Sequence, residues 1–256
     1  MALETLRVRR DGAVLFAEIA APPMNLLGPE LVRDLVLLIQ RAEADTNVQL
    51  LVFVSADPDY FISHVDVTRI AEYRQEAAKL VGDLDRFEGR VRGAGSEFVL
   101  ACDMRFAARE SAIFSQLAQG FGLIPGAGGI QHLTRLLGRA RTLEVILSAE
   151  DYDAALAERY GWINRAMPAG DPCEWVRSLA HRVATFPSVG RAALKNRVNA
   201  IALAPADDFR RDSDLFLECA SDPESQRRTG VAMSRGFQTH DGEMALAKML
   251  ATLVDR

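Results

Sequence analysis

The pattern of the chain changes at Pro187, and this change constrains the fold more than any other feature. Before it, short β-compatible runs alternate with amphipathic helical stretches, whereas after it the pattern is helical almost to the end. Residues 49–55 contain the run LLVFV, which is typical of a strand buried on both faces of a parallel sheet. We therefore predict an α/β body over residues 1–186 and a helical region over residues 187–256.

Local signals give the elements of this body. Residues 6–10 and 13–19 flank Asp11-Gly12, a dipeptide typical of tight hairpin turns, and predict a hairpin. Further predicted helices cover 29–44, 96–104, 128–137, 139–147, 153–160 and 172–185, and short strands cover 105–108 and 162–166. In the helical region, predicted helices cover 191–201, 207–219, 223–234 and 243–253.

Composition excludes several classes of function. The 256 residues carry a net charge of −5 and no long basic run, which argues against a nucleic-acid partner. No apolar run approaches the roughly 18 residues of a membrane span, and the N-terminus lacks the apolar core of a signal peptide, so we expect a cytoplasmic protein. The three cysteines and four histidines are scattered, so neither a disulfide framework nor a metal site is predicted.

Two glycine-bearing segments precede predicted helices, GRVRGAGSE at 89–97 and GFGLIPGAGG at 120–129. The first fails as a dinucleotide fingerprint because Phe98 stands where the third glycine is required, and no Walker-type lysine motif is present. A glycine-rich turn into a helix offers free backbone N–H groups to a developing negative charge. An oxyanion hole and simple close packing of helix and strand both remain open on the glycines alone.

Three ordered motifs resemble those of one family. FISHVD at 61–66 resembles F-[SC]-A-G-x-D, residues 89–103 resemble G-x-A-x-G-G-G-x-E-L-A-x-x-C-D, and residues 124–135 resemble I-P-G-A-G-G-T-Q-R-L-T-R. These are signatures of the enoyl-CoA hydratase/isomerase family, also called the crotonase family, and the resemblance extends to residues 23–25, 157–168 and the helical tail. It implies a crotonase-like spiral of β-β-α turns, with C-terminal helices that build homotrimers or homohexamers.

The resemblance also implies a site for an acyl-CoA thioester. In this family two backbone N–H groups hold the thioester carbonyl and stabilise the enolate oxyanion, and the matching positions are Val65 and Ala94. The neighbouring positions assigned to substrate binding are Ser63, His64, Asp66 and Gly93. Phe121, Leu117 and the 69–88 region are candidates for the acyl pocket. No metal or redox cofactor is implied, and coenzyme A arrives as part of the substrate.

His64 stands where the family usually has glycine. If the backbone there has a positive φ, the histidine is strained, although histidine tolerates this better than most residues. A lone loop histidine is more often hydrogen-bonded or on the surface than catalytic. It could also shape the channel for the acyl chain or the pantetheine arm.

Glu97 matches the first of two glutamates with which the family holds one water during hydration. It follows Ala94 by three residues, in the first turn of a predicted helix. Burial would raise the pKa of this carboxyl toward that of a useful base, while the helix N-terminus would lower it. The alternative is an ordinary carboxylate at a helix N-terminus.

The second family glutamate falls on Ala118, and no carboxylate lies between Glu110 and Glu144. Gln116 or Gln119 could orient a water but cannot exchange a proton. A positioned acid or base contributes about 10²–10⁴ in rate, so we expect a hydratase with Ala118 to be impaired or to use another proton source. A natural variant and an engineered change would look the same in the sequence.

A further departure lies just before the first glycine segment. Family members carry a buried strand there, but here VGDLDRFE at 81–88 leads straight to Gly89, and no apolar strand is predicted. A central strand cannot usually be deleted without exposing the backbone groups of its neighbours. Either the chain is rearranged at this point or the sequence omits residues, and we favour omission because the flanking motifs are intact.

The predicted function is acyl-CoA chemistry through a stabilised enolate, nominally hydration of a 2-enoyl-CoA or a related isomerisation. One alternative is a crotonase-fold lyase, decarboxylase or thioesterase with different acid–base residues. Another is a non-catalytic acyl-CoA-binding homologue that keeps the fold without turnover, because a fold does not guarantee an activity.

Overall fold

Two sheets and a set of surrounding helices form the protein in a computed structural model that describes residues 3–73, 84–87, 89–168 and 172–253. The strands are β1 Leu6–Asp11, β2 Val14–Ile19, β3 Leu50–Ser55, β4 Tyr60–Ile62, β5 Leu84–Phe87, β6 Arg90–Arg92, β7 Arg105–Ala108, β8 Ile113–Ser115, β9 Tyr152–Asp153 and β10 Arg165–Met167. The helices are α1 Pro29–Ala44, α2 Ala94–Ala101, α3 Gly129–Leu137, α4 Arg139–Ser148, α5 Ala154–Tyr160, α6 Pro172–Ala184, α7 Ser188–Ala202, α8 Ala206–Ala220, α9 Pro223–Ser234, α10 His240–Met244 and α11 Leu246–Leu250, with 3₁₀ helices at Val67–Tyr73 and Leu117–Phe121.

The strand order shows a spiral. One sheet has the order β1-β2-β3-β5-β7-β10 and the other has the order β4-β6-β8-β9. Three successive turns of the chain each add one strand to each sheet, first β3 and β4, then β5 and β6, then β7 and β8, and neighbouring turns pair in parallel. The predicted α/β fold with crotonase-like β-β-α turns is confirmed.

The predicted N-terminal hairpin is also confirmed. β1 and β2 pair antiparallel, with Asp11 opposite Val14, and Gly12 between them has a φ of +60°. β2 then pairs in parallel with β3, whose first four residues are buried as the LLVFV pattern predicts. The predicted helices of the body are present with ends shifted by up to about three residues, and the second predicted short strand lies at Arg165–Met167.

The prediction that no strand precedes Gly89 is wrong. β5, Leu84–Phe87, pairs in parallel with β3 on one side and with β7 on the other, so it fills the centre of the six-stranded sheet. Apolar character was a poor guide here because main-chain hydrogen bonds to two flanking strands do not depend on the side chains that the strand carries. An omitted segment is not needed to complete the sheet.

Residues 74–83 and 88 lie outside the described residues, including part of the 69–88 region that we expected to line the acyl pocket.

The helical region packs unevenly against the body. Helix α7 has no buried residue, whereas α9 and α11 pack on the 3₁₀ helix Leu117–Phe121. The apolar cluster there joins Leu117 and Phe121 to Phe237, Leu246 and Leu250. The last predicted helix, 243–253, is divided into α10 and α11 around Ala245. The domain division at residue 186 remains a prediction.

Within the described residues, no helix combines the length and apolar character needed to cross a membrane.

Candidate active site

The parallel pairing of β4 and β6 brings the two predicted oxyanion donors to the same edge of a sheet. Ile62 pairs with Val91, and the residues three positions beyond them are Val65 and Ala94. Gly93 lies against the other loop, since a methyl group on it would be 3.4 Å from the Cβ of His64. The two turns are therefore neighbours in space although they are 29 residues apart in sequence.

Glycine is required where α2 begins. A methyl group on Gly95 would lie 2.1 Å from the carbonyl oxygen of Ile62, closer than any nonbonded contact allows. Gly93 has a φ of +49°, in the left-handed region that glycine adopts without strain. The close packing allowed by Gly95 and the turn made by Gly93 place the N-terminus of α2 against the end of β4.

The backbone amides of Val65 and Ala94 have no hydrogen-bond acceptor among the described residues, and both residues are partly exposed. Ala94 is the first residue of α2, where an amide has no intrahelical partner. The carbonyls on either side of the Val65 amide are fixed, because the His64 carbonyl accepts from the Leu27 amide at 2.8 Å and the Val65 carbonyl accepts from Gln238 Nε2 at 3.3 Å. Two free amides in fixed loops suit the binding of an oxyanion.

Glu97 lies in the first turn of α2 and is 6% exposed. Its Oε1 accepts hydrogen bonds from the amides of Ala127 at 2.7 Å and Gly129 at 2.9 Å, while Oε2 has no hydrogen-bond partner in the described part of the chain. Burial raises the pKa of this carboxyl to about 7, the two amides act to lower it, and the charge of Asp212 adds to the rise. Burial outweighs the two amide hydrogen bonds, so the pKa of this carboxyl lies near neutral pH.

The buried amide of Gln116 lies close to Glu97. A methyl group on Gly129 would lie 2.9 Å from Gln116 Nε2 and 3.1 Å from Glu97 Oε1, so both side chains converge on this glycine. Neither the oxygen nor the nitrogen of the Gln116 amide has a hydrogen-bond partner among the described residues, and the same is true of the hydroxyl of Ser96, the residue before Glu97. Unsatisfied buried polar groups are costly and tend to occur where a site has a function.

Ala118 lies on the 3₁₀ helix that begins one residue after Gln116, and it is 9% exposed. Its neighbour Leu117 packs beside Gly93, since a methyl group on that glycine would lie 3.6 Å from Leu117 Cγ. The 3₁₀ helix therefore borders the site, and its side chains supply no carboxylate.

The remaining predicted substrate-binding residues have internal partners. The Ser63 hydroxyl is fully buried and donates to the Met24 carbonyl at 2.9 Å. Asp66 accepts from the amide and the hydroxyl of Thr68, which fixes the turn into the 3₁₀ helix. His64 is not among the residues with positive φ, so the strain considered for a histidine at this position does not arise.

Sequence reasoning missed three charged residues near the site, Asp212, Arg92 and Glu243. Asp212 is buried on α8, and burial raises the pKa of its carboxyl. Helical spacing places Asp212 on the same face of α8 as Phe209 and Phe216, which pack on the loop before α3. A carboxylate within this apolar stripe was the sequence signal that could have identified Asp212. Arg92 and Glu243 are 151 residues apart, and no local pattern predicts that they meet.

A sequence model of the enoyl-CoA hydratase/isomerase family matches residues 84–237, more than half of the chain. The protein belongs to the enoyl-CoA hydratase/isomerase family. The matched span runs from β5 through α9 and contains Ala94, Glu97 and Ala118.

Individual members of the enoyl-CoA hydratase/isomerase family are similar over most of their length. A Streptomyces avermitilis protein of known structure, provisionally named an enoyl-CoA hydratase, is 45% identical with a TM-score of 0.96, and the match covers 100% of this chain and 99% of that one. A short-chain-enoyl-CoA hydratase from Clostridium acetobutylicum is 25% identical over 86% of this chain and 91% of its own. A Rhizobium meliloti protein, also provisionally named an enoyl-CoA hydratase, is 29% identical over 84% of this chain and 90% of its own.

No three His, Cys, Asp or Glu side chains cluster as ligands in the ranges 3–73, 84–87, 89–168 and 172–253.

Proposed function

We propose that this protein binds acyl-CoA thioesters and stabilises the thioester enolate between the amides of Val65 and Ala94. The observation that carries the proposal is that these two amides, on adjoining turns after β4 and β6, have no acceptor among the described residues, while the helix that begins at Ala94 also carries Glu97, a carboxyl whose pKa is raised to about 7. Removal of one amide that donates to a developing oxyanion typically lowers the rate by a factor of about 10²–10³. Membership of the enoyl-CoA hydratase/isomerase family supports the thioester as substrate.

Glu97 is the proposed proton carrier. Its Oε1 is held by two amides, which fixes the carboxyl, and its Oε2 is free of hydrogen bonds to the described residues. With a pKa of about 7 it is present in both protonation states at neutral pH, so it can both accept and return a proton.

The proposed reaction is hydration of a 2-enoyl-CoA. Ionised Glu97 takes a proton from water as the water oxygen bonds to C3, and the electron pair of the double bond moves onto the thioester oxygen. The enolate then collapses as protonated Glu97 returns the proton to C2. Because Ala118 supplies no second carboxylate, we expect this reaction to be slower by about 10²–10⁴ than with two positioned groups.

A second candidate is double-bond isomerisation, and the single carboxylate favours it. Glu97 would remove a proton from C2 of a 3-enoyl-CoA, the oxyanion would be held by the two amides, and the same proton would return at C4. No water has to be held between two carboxyls in this reaction, so Ala118 is no handicap.

Turnover of a panel of CoA thioesters, followed by chromatography, tests the proposal. We expect conversion of crotonyl-CoA or of a 3-enoyl-CoA by the wild type and its loss in Glu97→Gln. Product release from saturated acyl-CoA or from a malonyl-type thioester alone would favour the thioesterase or decarboxylase alternatives. Binding measured by calorimetry without any product, unchanged in Glu97→Gln, would establish a non-catalytic homologue and refute the proposal.

Ala118→Glu separates the two candidate reactions, with Ala118→Gln as the matched control of similar size without a proton to exchange. If hydration is the reaction, the glutamate raises crotonyl-CoA hydration by orders of magnitude and the glutamine does not. If isomerisation is the reaction, the glutamate has little effect on it or lowers it.

The assembly expected from the family resemblance is a homotrimer or homohexamer built through the C-terminal helices. Large apolar side chains on α7 support this proposal, since Val189, Leu194 and Ile201 are 82%, 67% and 71% exposed. Light scattering coupled to size-exclusion chromatography gives the mass, and a monomer at micromolar concentration would contradict the proposal.

A further inference from the structure

His64, beside the proposed oxyanion donor, is enclosed by the C-terminal segment. It is 2% exposed, and its ring stacks on Phe237 with the centroids 4.7 Å apart and the planes at 19°. Glu243, on α10, is fully buried beside it. A segment 170 and more residues away in sequence therefore forms the back of the loop that carries the Val65 amide.

Both ring nitrogens of His64 face acceptors. Nδ1 lies 2.8 Å from the Val65 carbonyl oxygen, which can only accept, so Nδ1 carries a proton. Nε2 lies 2.8 Å from Glu243 Oε1, which also accepts from the Gln238 amide at 3.1 Å. The ring therefore links the Val65 carbonyl to Glu243 on α10.

The surroundings keep Glu243 ionised. Arg92 is 1% exposed, lies 3.5 Å from Glu243 Oε2 and donates to the Glu243 carbonyl at 2.6 Å. Burial acts to raise the pKa of Glu243, but the hydrogen bond and charge of His64 and the charge of Arg92 outweigh it and leave the pKa below its ordinary value. Asp151 pairs with the other side of Arg92, at 2.5 and 2.9 Å, so Arg92 lies between two carboxylates. The Tyr60 hydroxyl also lies near these charges, together with Arg90 and Asp59.

We propose that His64 is a positioning residue, held between Glu243 and the Val65 carbonyl, that fixes the Val65 amide in the oxyanion hole. His64 and Gln238 both donate to the Val65 carbonyl, while the Leu27 amide donates to the carbonyl of His64. The amide between these two carbonyls is therefore fixed from both sides. The fixing of the amide stands independently, whereas its effect on turnover rests on the proposed function.

The fixing of the loop is tested by ¹⁵N relaxation of the intact protein labelled with ¹⁵N-valine, with the Val65 signal assigned by its loss in Val65→Leu. We expect the Val65 amide to have the order parameter of rigid backbone in the wild type and a lower one in folded His64→Gly. An unchanged order parameter in His64→Gly would overturn the positioning role, whether or not a thioester is turned over.

The positioning role is tested by kinetics on the best thioester from the panel. Replacing His64 by glycine, the usual family residue, should lower kcat by about 10- to 100-fold and change KM much less. The reason is that a Val65 amide that is no longer fixed stabilises the oxyanion of the transition state less strongly. His181→Gln, on α6 and half-exposed, is the matched control and should keep full activity. Unchanged kcat in a folded His64→Gly, checked by circular dichroism, would refute the role.

A purely structural role is distinguished by partial rescue. His64→Gln keeps an amide that can donate to the Val65 carbonyl, so it should recover part of the kcat that is lost in His64→Gly. Equal kcat values for the two folded variants would contradict the proposal. If no thioester is turned over by the wild type, the proposed function fails, and the relaxation experiment still decides whether His64 fixes the Val65 amide.

Discussion

Two buried glutamates, Glu97 on α2 and Glu243 on α10, lie in different electrostatic surroundings. Glu97 is held by two neutral amides, and the nearest charge that acts on it is another carboxylate, Asp212. Glu243 is paired with His64 and Arg92. Burial acts to raise the pKa of both, and it prevails only for Glu97, where no cation opposes it.

This difference teaches that burial alone does not set the charge of a carboxyl. A desolvated carboxyl without a countercharge titrates near neutral pH and suits proton transfer, whereas a paired one stays ionised and suits the fixing of a loop. The two glutamates thus support complementary parts of one proposed site, one carrying the proton and the other holding an oxyanion donor.

The largest effect is expected for Glu97→Gln on turnover. The glutamine oxygen can still accept from Ala127 and Gly129, but the side chain can no longer exchange a proton, so kcat should fall by about 10²–10⁴. Steady-state kinetics measures this, with Glu150→Gln, on the exposed surface, as the control. Full activity in Glu97→Gln would show that the raised pKa has no role in the reaction.

Glu243→Gln should instead act mainly on stability. Removing the negative charge leaves Arg92 and His64 buried without their shared carboxylate, which costs about 3–5 kcal/mol when a buried pair is broken. Urea unfolding at pH 7 and a fixed protein concentration measures the loss. A change below about 1 kcal/mol would mean that other groups stabilise Arg92 and His64 when the charge of Glu243 is removed.

The pH dependence of stability should have opposite signs at the two residues. The pKa of Glu97 is raised in the folded state, so its favourable contribution is present below about pH 4.5 and is lost as the pH rises to about 7. Glu97→Gln should therefore gain up to about 3 kcal/mol over the wild type at pH 8 and little at pH 4.5.

The contribution of Glu243 runs the other way, because its folded-state pKa is lowered. That contribution is present above about pH 4.5 and is lost as the pH falls below it. Unfolding curves of the wild type and both variants from about pH 2.5 to 8 measure the two slopes, and slopes of the same sign would refute the comparison.

A smaller effect is expected from Gln116→Met. The amide of Gln116 is buried close to Glu97 without a hydrogen-bond partner among the described residues, so a thioether of similar length should raise the free energy of unfolding by about 1–3 kcal/mol. Turnover should fall at the same time if the amide serves the site. A loss of stability would show that Gln116 has a partner in solution.

Much of the fold followed from local sequence. The hairpin around Gly12, helix α1 and the buried strand β3 are where residue patterns predict them, because turn preference and hydrophobic period act over a few residues. β5 was missed because its place in the sheet comes from hydrogen bonds to β3 and β7 and not from its own apolar content. The sequence pattern predicts one helix where the structure has α10 and α11, because no glycine or proline marks the break between them.

The sequence by itself determined the order of elements, the family motifs, and the presence of Glu97 and the absence of a carboxyl at position 118. Only the tertiary structure decided which of these groups meet and what charge they carry. The turn that carries Val65 lies beside the turn that carries Ala94 because β4 and β6 pair in parallel. The hydrogen bond between His64 and Glu243 joins residues 179 apart in sequence. Such contacts, and the loss of water that shifts the pKa of Glu97, arise from packing between distant parts of the chain, which local preferences do not encode.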